Sequence, residues 1–112
     1  MNRTIRWEDF SKIHMWVGSI MGVTGFPEVL DPAYQVRIDL RSDLRIKKSS
    51  AQLTTLYAKE DLFGKQVIIV VDFPKKQIAN FISESLILGA VEGKDVVLLK
   101  PDFSVPNVLK IS

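Results

Sequence analysis

Between residues 34 and 40 the chain alternates, with Tyr34, Val36, Ile38 and Leu40 set against Gln35, Arg37 and Asp39. A period of two puts the two sets on opposite faces of an extended strand, the pattern of an antiparallel sheet with one face in a core and one in water. The same period recurs on both sides of this run and leaves little room for helix. In residues 15–23, Met15, Val17, Ser19, Met21 and Val23 alternate with Trp16, Gly18, Ile20 and Gly22, which predicts a long, strongly bent first strand loosened by glycine. Gly25, Pro27, Asp31 and Pro32 supply turn chemistry before the second strand. A third strand is expected over residues 46–53, with Lys47, Ser49, Ala51 and Leu53 on one side and Lys48, Ser50 and Gln52 on the other. Residues 66–71 form a β-branched run with charges only at its flanks, so it should be a central strand buried on both faces and ended by Pro74. Leu86, Ile87 and Leu88 before Gly89 read as a fifth strand. Glu92, Gly93, Lys94 and Asp95 read as a hairpin turn into residues 96–99.

Two short helices interrupt this series. In residues 7–13, Trp7, Phe10 and Ile13 make one apolar face, with Glu8 and Asp9 suited to a first turn, and the face is expected to pack rather than bind. Residues 55–64 should give one or two helical turns stopped by Gly64. The tail, residues 101–112, carries Phe103, Val105, Val108, Leu109 and Ile111 and needs something to lie against, either its own barrel or a partner subunit. Five or six short strands with a small helix between the third and fourth fit an all-β fold: a five-stranded Greek-key barrel of the oligonucleotide-binding (OB) type, with N- and C-terminal extensions. Such barrels bind through the face of strands two and three and through the first-second and fourth-fifth loops.

Charge falls on that same face. Residues 37–48 hold five cations against two anions, while the whole chain is only +2, so the remainder is close to balanced. Lys75 and Lys76 add a second basic point in the fourth-fifth loop. A concentrated basic segment on a balanced background is the footprint of a polyanion partner, although a hairpin whose cations merely guard a sheet edge carries the same charge. At 112 residues the chain is expected to be a single domain, residues 1–112, with one core. The absence of cysteine excludes disulfides and thiolate chemistry. The first ten residues are too charged for a signal peptide and no apolar run approaches a bilayer span, so a cytoplasmic protein without membrane insertion is expected. An apolar fraction of 46% favours a dimer or an apolar binding surface. His14 is the single histidine, no Gly-rich phosphate loop follows a strand, and no metal-ligand spacing appears. The expectation is therefore a non-enzymatic protein with no cofactor.

Four stretches then carry a resemblance: VGSIMGVTGFPEVLDPAYQVRIDL, KKSSAQLTTLY, VVDFPKKQIANFISESLILG and LLKPDFSVPNVLKI. They cover nearly the whole chain, in order, and resemble the tRNA-binding OB-fold domains, more closely their CsaA-type secretion-chaperone branch. Synthetase-appended relatives follow Ser-Glu with Gly-Met, whereas Ser83-Glu84 is followed here by Ser85-Leu86. The resemblance implies a homodimer that binds tRNA by shape and charge and, in the CsaA branch, unfolded polypeptides or preproteins. The other implied reading is a stand-alone tRNA-binding protein acting in trans with a synthetase. On this basis Arg41, Arg45, Lys47, Lys48, Lys75 and Lys76 are expected to contact phosphate, and Ser49, Gln52 and Ser83 to hydrogen-bond to RNA, without sequence specificity. Phe26, Tyr34, Phe73 and Phe81 read as core or loop anchors, which points to a folded RNA rather than a stacked single strand. A dimer or peptide groove is expected to involve Trp7, Phe10, Phe103, Val105, Pro106 and Val108. The chain departs from the branch pattern at Leu40-Arg41 and Arg45, where relatives keep Phe-Gly and a second glycine, at Asp72 in place of Asn, and at Lys75 in place of a second proline.

Overall fold

A computed structural model describes residues 3–27, 32–40 and 46–112. Arg41, Arg45 and the hairpin expected at Ser42-Asp43 lie outside the described residues. The elements run α1 (Trp7–Ser11), β1 (Met15–Gly25), β2 (Tyr34–Asp39), β3 (Ile46–Ala51), α2 (Lys59–Leu62), β4 (Gln66–Val70), β5 (Lys76–Ile78), β6 (Phe81–Ser83), β7 (Leu86–Ile87), β8 (Gly89–Glu92) and β9 (Asp95–Leu98). Strands β3, β2, β1, β4 and β7 join in that order, all antiparallel, as a nearly closed five-stranded OB barrel.

The barrel depends on the bend in β1. Residues 15–19 pair with β4 and residues 19–25 pair with β2, and the register slips between Ile20 and Gly22. That bulge leaves Met21 outside the ladder and turns one strand into two sides of the barrel. The alternation seen in the sequence then fills the interior. Ile20, Val36, Ile38, Leu40, Leu53, Leu62, Val67, Ile69 and Ile87 form one buried cluster, each aliphatic side chain contributing roughly 1.5–3 kcal/mol by leaving water. Helix α2, between β3 and β4 in the chain, packs against β1 and supplies Leu62, its one buried residue, to the core. The Asp61 carboxylate accepts the Ala58 N–H at 3.0 Å to start the helix, and Gly64 at φ +87° ends it.

Two features differ from the sequence reading. The fourth-fifth loop contains its own hairpin, β5–β6, and that hairpin shares a second small core, in which Phe26, Ala33 and Phe81 are buried with Ile78 against them. No residue of α1 is fully buried: Trp7 is 66% exposed and Phe10 only half-buried, and Ile13, beyond the end of the helix, also faces water, so the expected apolar face finds little cover within the chain. The tail, by contrast, lies on its own barrel. Val108 N–H donates to the Val17 carbonyl at 2.7 Å, Val17 N–H to Leu109 at 3.0 Å, and Ile111 N–H to Met15 at 2.9 Å, so the tail pairs with the free edge of β1. The Gln66 amide clamps both backbone groups of Val105, accepting its N–H at 3.1 Å and donating to its carbonyl.

Candidate nucleic-acid interface

The β2–β3 register decides which cations share a surface. Arg37 stands opposite Lys48 and Gln35 opposite Ser50, while Ile38 stands opposite Lys47 and Val36 opposite Ser49. Directly paired residues lie on one face, and neighbours along a strand lie on opposite faces. Lys48, Ser50, Arg37 and Gln35 therefore form the outer face, whereas Lys47 and Ser49 belong to the face that carries Val36 and Ile38 into the core. Ser49 is 1% exposed, which removes it from any RNA surface; its expected hydrogen bond to RNA is corrected to an interior position. Lys47 and Lys48, adjacent in sequence, are separated by the sheet.

Arg37 was part of the basic run but not of the expected contact set. Its guanidinium lies across β1 over Gly22: a Cβ at position 22 would stand 2.4 Å from an Arg37 terminal nitrogen. The missing side chain gives an exposed cation a resting place on the sheet.

Beside this face, the β4–β7 connection is stitched to β3 by side chains as much as by backbone. Glu84 N–H donates to the Lys48 carbonyl at 2.8 Å, and Glu84 Oε1 accepts the Lys48 N–H at 3.1 Å. Ser83 Oγ accepts the Ser50 N–H at 3.1 Å, and Ser85 Oγ donates to the Lys48 carbonyl at 3.2 Å. The other oxygen of Glu84, Oε2, sits 3.8 Å from Lys75 Nζ. Lys48 Nζ lies 5.5 Å from the centre of the Phe81 ring, which holds the ammonium by a cation–π contact over the small core. Lys76 pairs with Ser83 in the β5–β6 hairpin. Between β3 and this hairpin runs a cleft of about 360 Å³ whose lining includes Ser50, Phe73, Lys76, Ser83, Glu84 and Leu86.

The start of the connection is pinned by the single histidine. Asp72 accepts the His14 backbone N–H, and its other oxygen lies 2.7 Å from His14 Nδ1. The backbone bond, then the ring contact, hold the Asp72 carboxyl below the usual carboxylate range. No group of three or more His, Cys, Asp or Glu side chains among the described residues is arranged to hold a metal.

Of the expected RNA contacts, the structure brings Lys48, Lys75, Lys76 and Ser83 together around Glu84. Gln52 is exposed in a neighbouring cleft with Thr54, Thr55 and Lys94, where Thr55 Oγ1 donates to the Lys94 carbonyl at 3.0 Å. Phe26 and Phe81 are anchors, as read, and the Tyr34 hydroxyl donates to the Tyr57 carbonyl at 2.8 Å. Phe73 is not an anchor: it is 57% exposed. The expected groove set also divides. Val108 packs in part against its own barrel core, and the backbone of Val105 is held by Gln66, while both side chains stay half-buried. Trp7, Phe103 and Pro106 remain exposed, and Phe10 is half-buried with its ring centre 5.4 Å from that of Trp7.

The chain has relatives in sequence and in fold. Residues 15–110 match the family described as putative tRNA binding domain. The chain belongs to this tRNA-binding domain family. Among solved structures of the fold, the chaperone CsaA from Bacillus anthracis is 43% identical, with a TM-score of 0.92 over 98% of this chain and 100% of that one. The CsaA chaperone protein from Picrophilus torridus is 49% identical, with a TM-score of 0.89 over 97% and 100%. A methionine–tRNA ligase from Pyrococcus horikoshii is 36% identical over 107 residues, 96% of this chain. The chain spans only about a seventh of such ligases, 13% and 14% of the first two matched. No helix among the described residues is long and apolar enough to cross a membrane.

Proposed function

We propose that this chain is a non-enzymatic, single-domain cytoplasmic protein that binds tRNA through Lys48, Arg37, Lys75 and Lys76. As a homodimer, it would also bind unfolded or preprotein segments in an export-chaperone role. The observation that supports this most is the end-to-end likeness to the two CsaA chaperone structures, at 43% and 49% identity, covering both of each pair of chains almost completely. Cations gathered on one face, with serine hydroxyls already tied to backbone, favour phosphate contacts and shape selection over base-by-base readout. The apolar groups left uncovered on α1 and the tail, Trp7 at 66% and Phe103 at 77% exposure, favour a second copy or an extended polypeptide there. Ser83 and Gln52 remain candidate hydrogen-bonding groups at the edge of the RNA surface. The second reading, a tRNA-binding protein acting in trans with a synthetase, is favoured by the match to methionine–tRNA ligases and needs no chaperone activity.

A competition experiment separates the two. Labelled tRNA and an unfolded polypeptide are each titrated at several salt concentrations, with sizing by light scattering. Salt-dependent tRNA binding together with polypeptide binding by a dimer is the expected result. Polypeptide binding no better than that of an unrelated basic OB protein leaves the second reading, and tRNA binding insensitive to salt removes both.

A further inference from the structure

We propose that the cleft between β3 and the β5–β6 hairpin holds one unstacked RNA base against the ring of Phe73, an inference that rests on the tRNA-binding reading above. Phe73 is a large apolar side chain left 57% exposed although a small aromatic core lies in the same loop region. That core is already filled by Phe26 and Phe81, whose ring centres are 5.5 Å apart. Its backbone is held on both sides: Asp72 is tied to His14, and Pro74 has a fixed φ and no N–H. The ring is thus presented on a restrained backbone rather than left on a loose end.

The surroundings favour a base. At about 360 Å³ the cleft is at the small end of ligand pockets, which run from about 300 to 1,000 Å³, and so suits one nucleotide-sized group rather than a duplex. Its lining combines apolar groups, among them Phe73 and Leu86, with polar ones from Ser50, Ser83 and Glu84. Ser83 Oγ already accepts from Ser50, which leaves its proton to donate, and Glu84 keeps acceptor capacity for a base amino group. Lys76 within the cleft and Lys75 beside Glu84 stand where flanking phosphates would run. An apolar peptide side chain would use the ring but neither lysine. Sequence-tolerant stacking on an aromatic ring beside a cationic track is how proteins hold splayed bases, and it lets a shape-selective protein prefer an RNA with an extruded nucleotide.

The test uses two RNA hairpins identical except for one bulged adenosine, titrated against the full chain. The bulged hairpin should bind about tenfold more tightly, in line with one aromatic–base stack. Phe73→Ala should erase that preference with the salt slope unchanged. Phe73→Trp should restore it, and the bulged RNA should quench the added tryptophan fluorescence relative to wild type. Equal binding of both hairpins by wild type, or a preference that survives Phe73→Ala, overturns the inference while leaving the tRNA reading in place. A Phe73→Ala variant that keeps the RNA preference but loses unfolded-polypeptide binding assigns the cleft to a peptide side chain instead. Failure to bind either hairpin or tRNA overturns both.

Discussion

Two strand edges in this barrel are covered by different means. The edge of β1 at Met15 and Val17 is covered by the tail, backbone to backbone, through three N–H···O=C bonds of 2.7–3.0 Å. At Lys48 and Ser50, β3 is instead met by one backbone bond and by the side chains of Ser83, Glu84 and Ser85. A backbone ladder tolerates many side chains. A side-chain stitch depends on particular ones, brings a carboxylate and hydroxyls to the seam, and leaves the adjoining lysines within reach of a ligand. The first edge behaves as scaffold, and the second is where sequence can tune a surface.

The largest expected effect breaks the scaffold side. Removing residues 106–112 deletes the three backbone bonds and uncovers apolar surface that Val108 shields, and at about 1 kcal/mol per bond plus burial it should cost roughly 3–5 kcal/mol. Urea unfolding measures it, and a loss below about 1 kcal/mol would mean that β1 does not need the strap. At the stitched edge, Glu84→Ala should cost about 1–3 kcal/mol by leaving the Lys48 N–H without its carboxylate. Glu84→Gln, which keeps an acceptor, should leave stability nearly unchanged and tighten RNA binding by removing a negative charge beside Lys75. Equal destabilisation by both would make the charge, rather than the acceptor, the essential part.

A smaller effect distinguishes the two faces of β3. Lys48→Ala should lower the salt slope of RNA binding by roughly 0.7–0.9, the share of one phosphate contact, and Lys47→Ala should change it less. Identical slopes for the two would contradict the register. The smallest effect lies at the pin between the edges. Because the Asp72 carboxyl is held below its ordinary value of about 3.9, its contribution to stability is fully present above that value and lost as pH falls through the lowered folded value. Wild type should therefore lose more stability than Asp72→Ala between about pH 4 and the acid limit, as followed by thermal unfolding across pH.

Much of this was legible along the chain because β-strands declare themselves locally. The alternations in β1 and β2, the β-branched β4, the Gly64 stop and the turn at Gly93-Lys94 each need only a few residues to be read. The β5–β6 hairpin was not legible, since two three-residue strands are too short to show a period and their pairing is held by a small core drawn from distant loops. Lys47 and Lys48 show a different kind of miss. Alternation alone separates them, but counting charge by segment merges them. Phe73 was missed because the sequence marks an aromatic residue without saying whether the nearby core has room for it. Of the apolar residues read as one helical face, Trp7 and Phe10 lie on α1 while Ile13 falls beyond its end, and such a pattern does not reveal whether its cover lies in the same chain.

The Gly22–Arg37 contact bears on how this surface changes by mutation. An alanine at 22 would meet only the far end of a flexible side chain, which can swing aside, so the fold should absorb it. The guanidinium would nevertheless lose its seat. Such a change would pass a stability screen unnoticed while relocating a cation on the outer face, so positions 22 and 37, fifteen residues apart, are expected to be inherited as a pair.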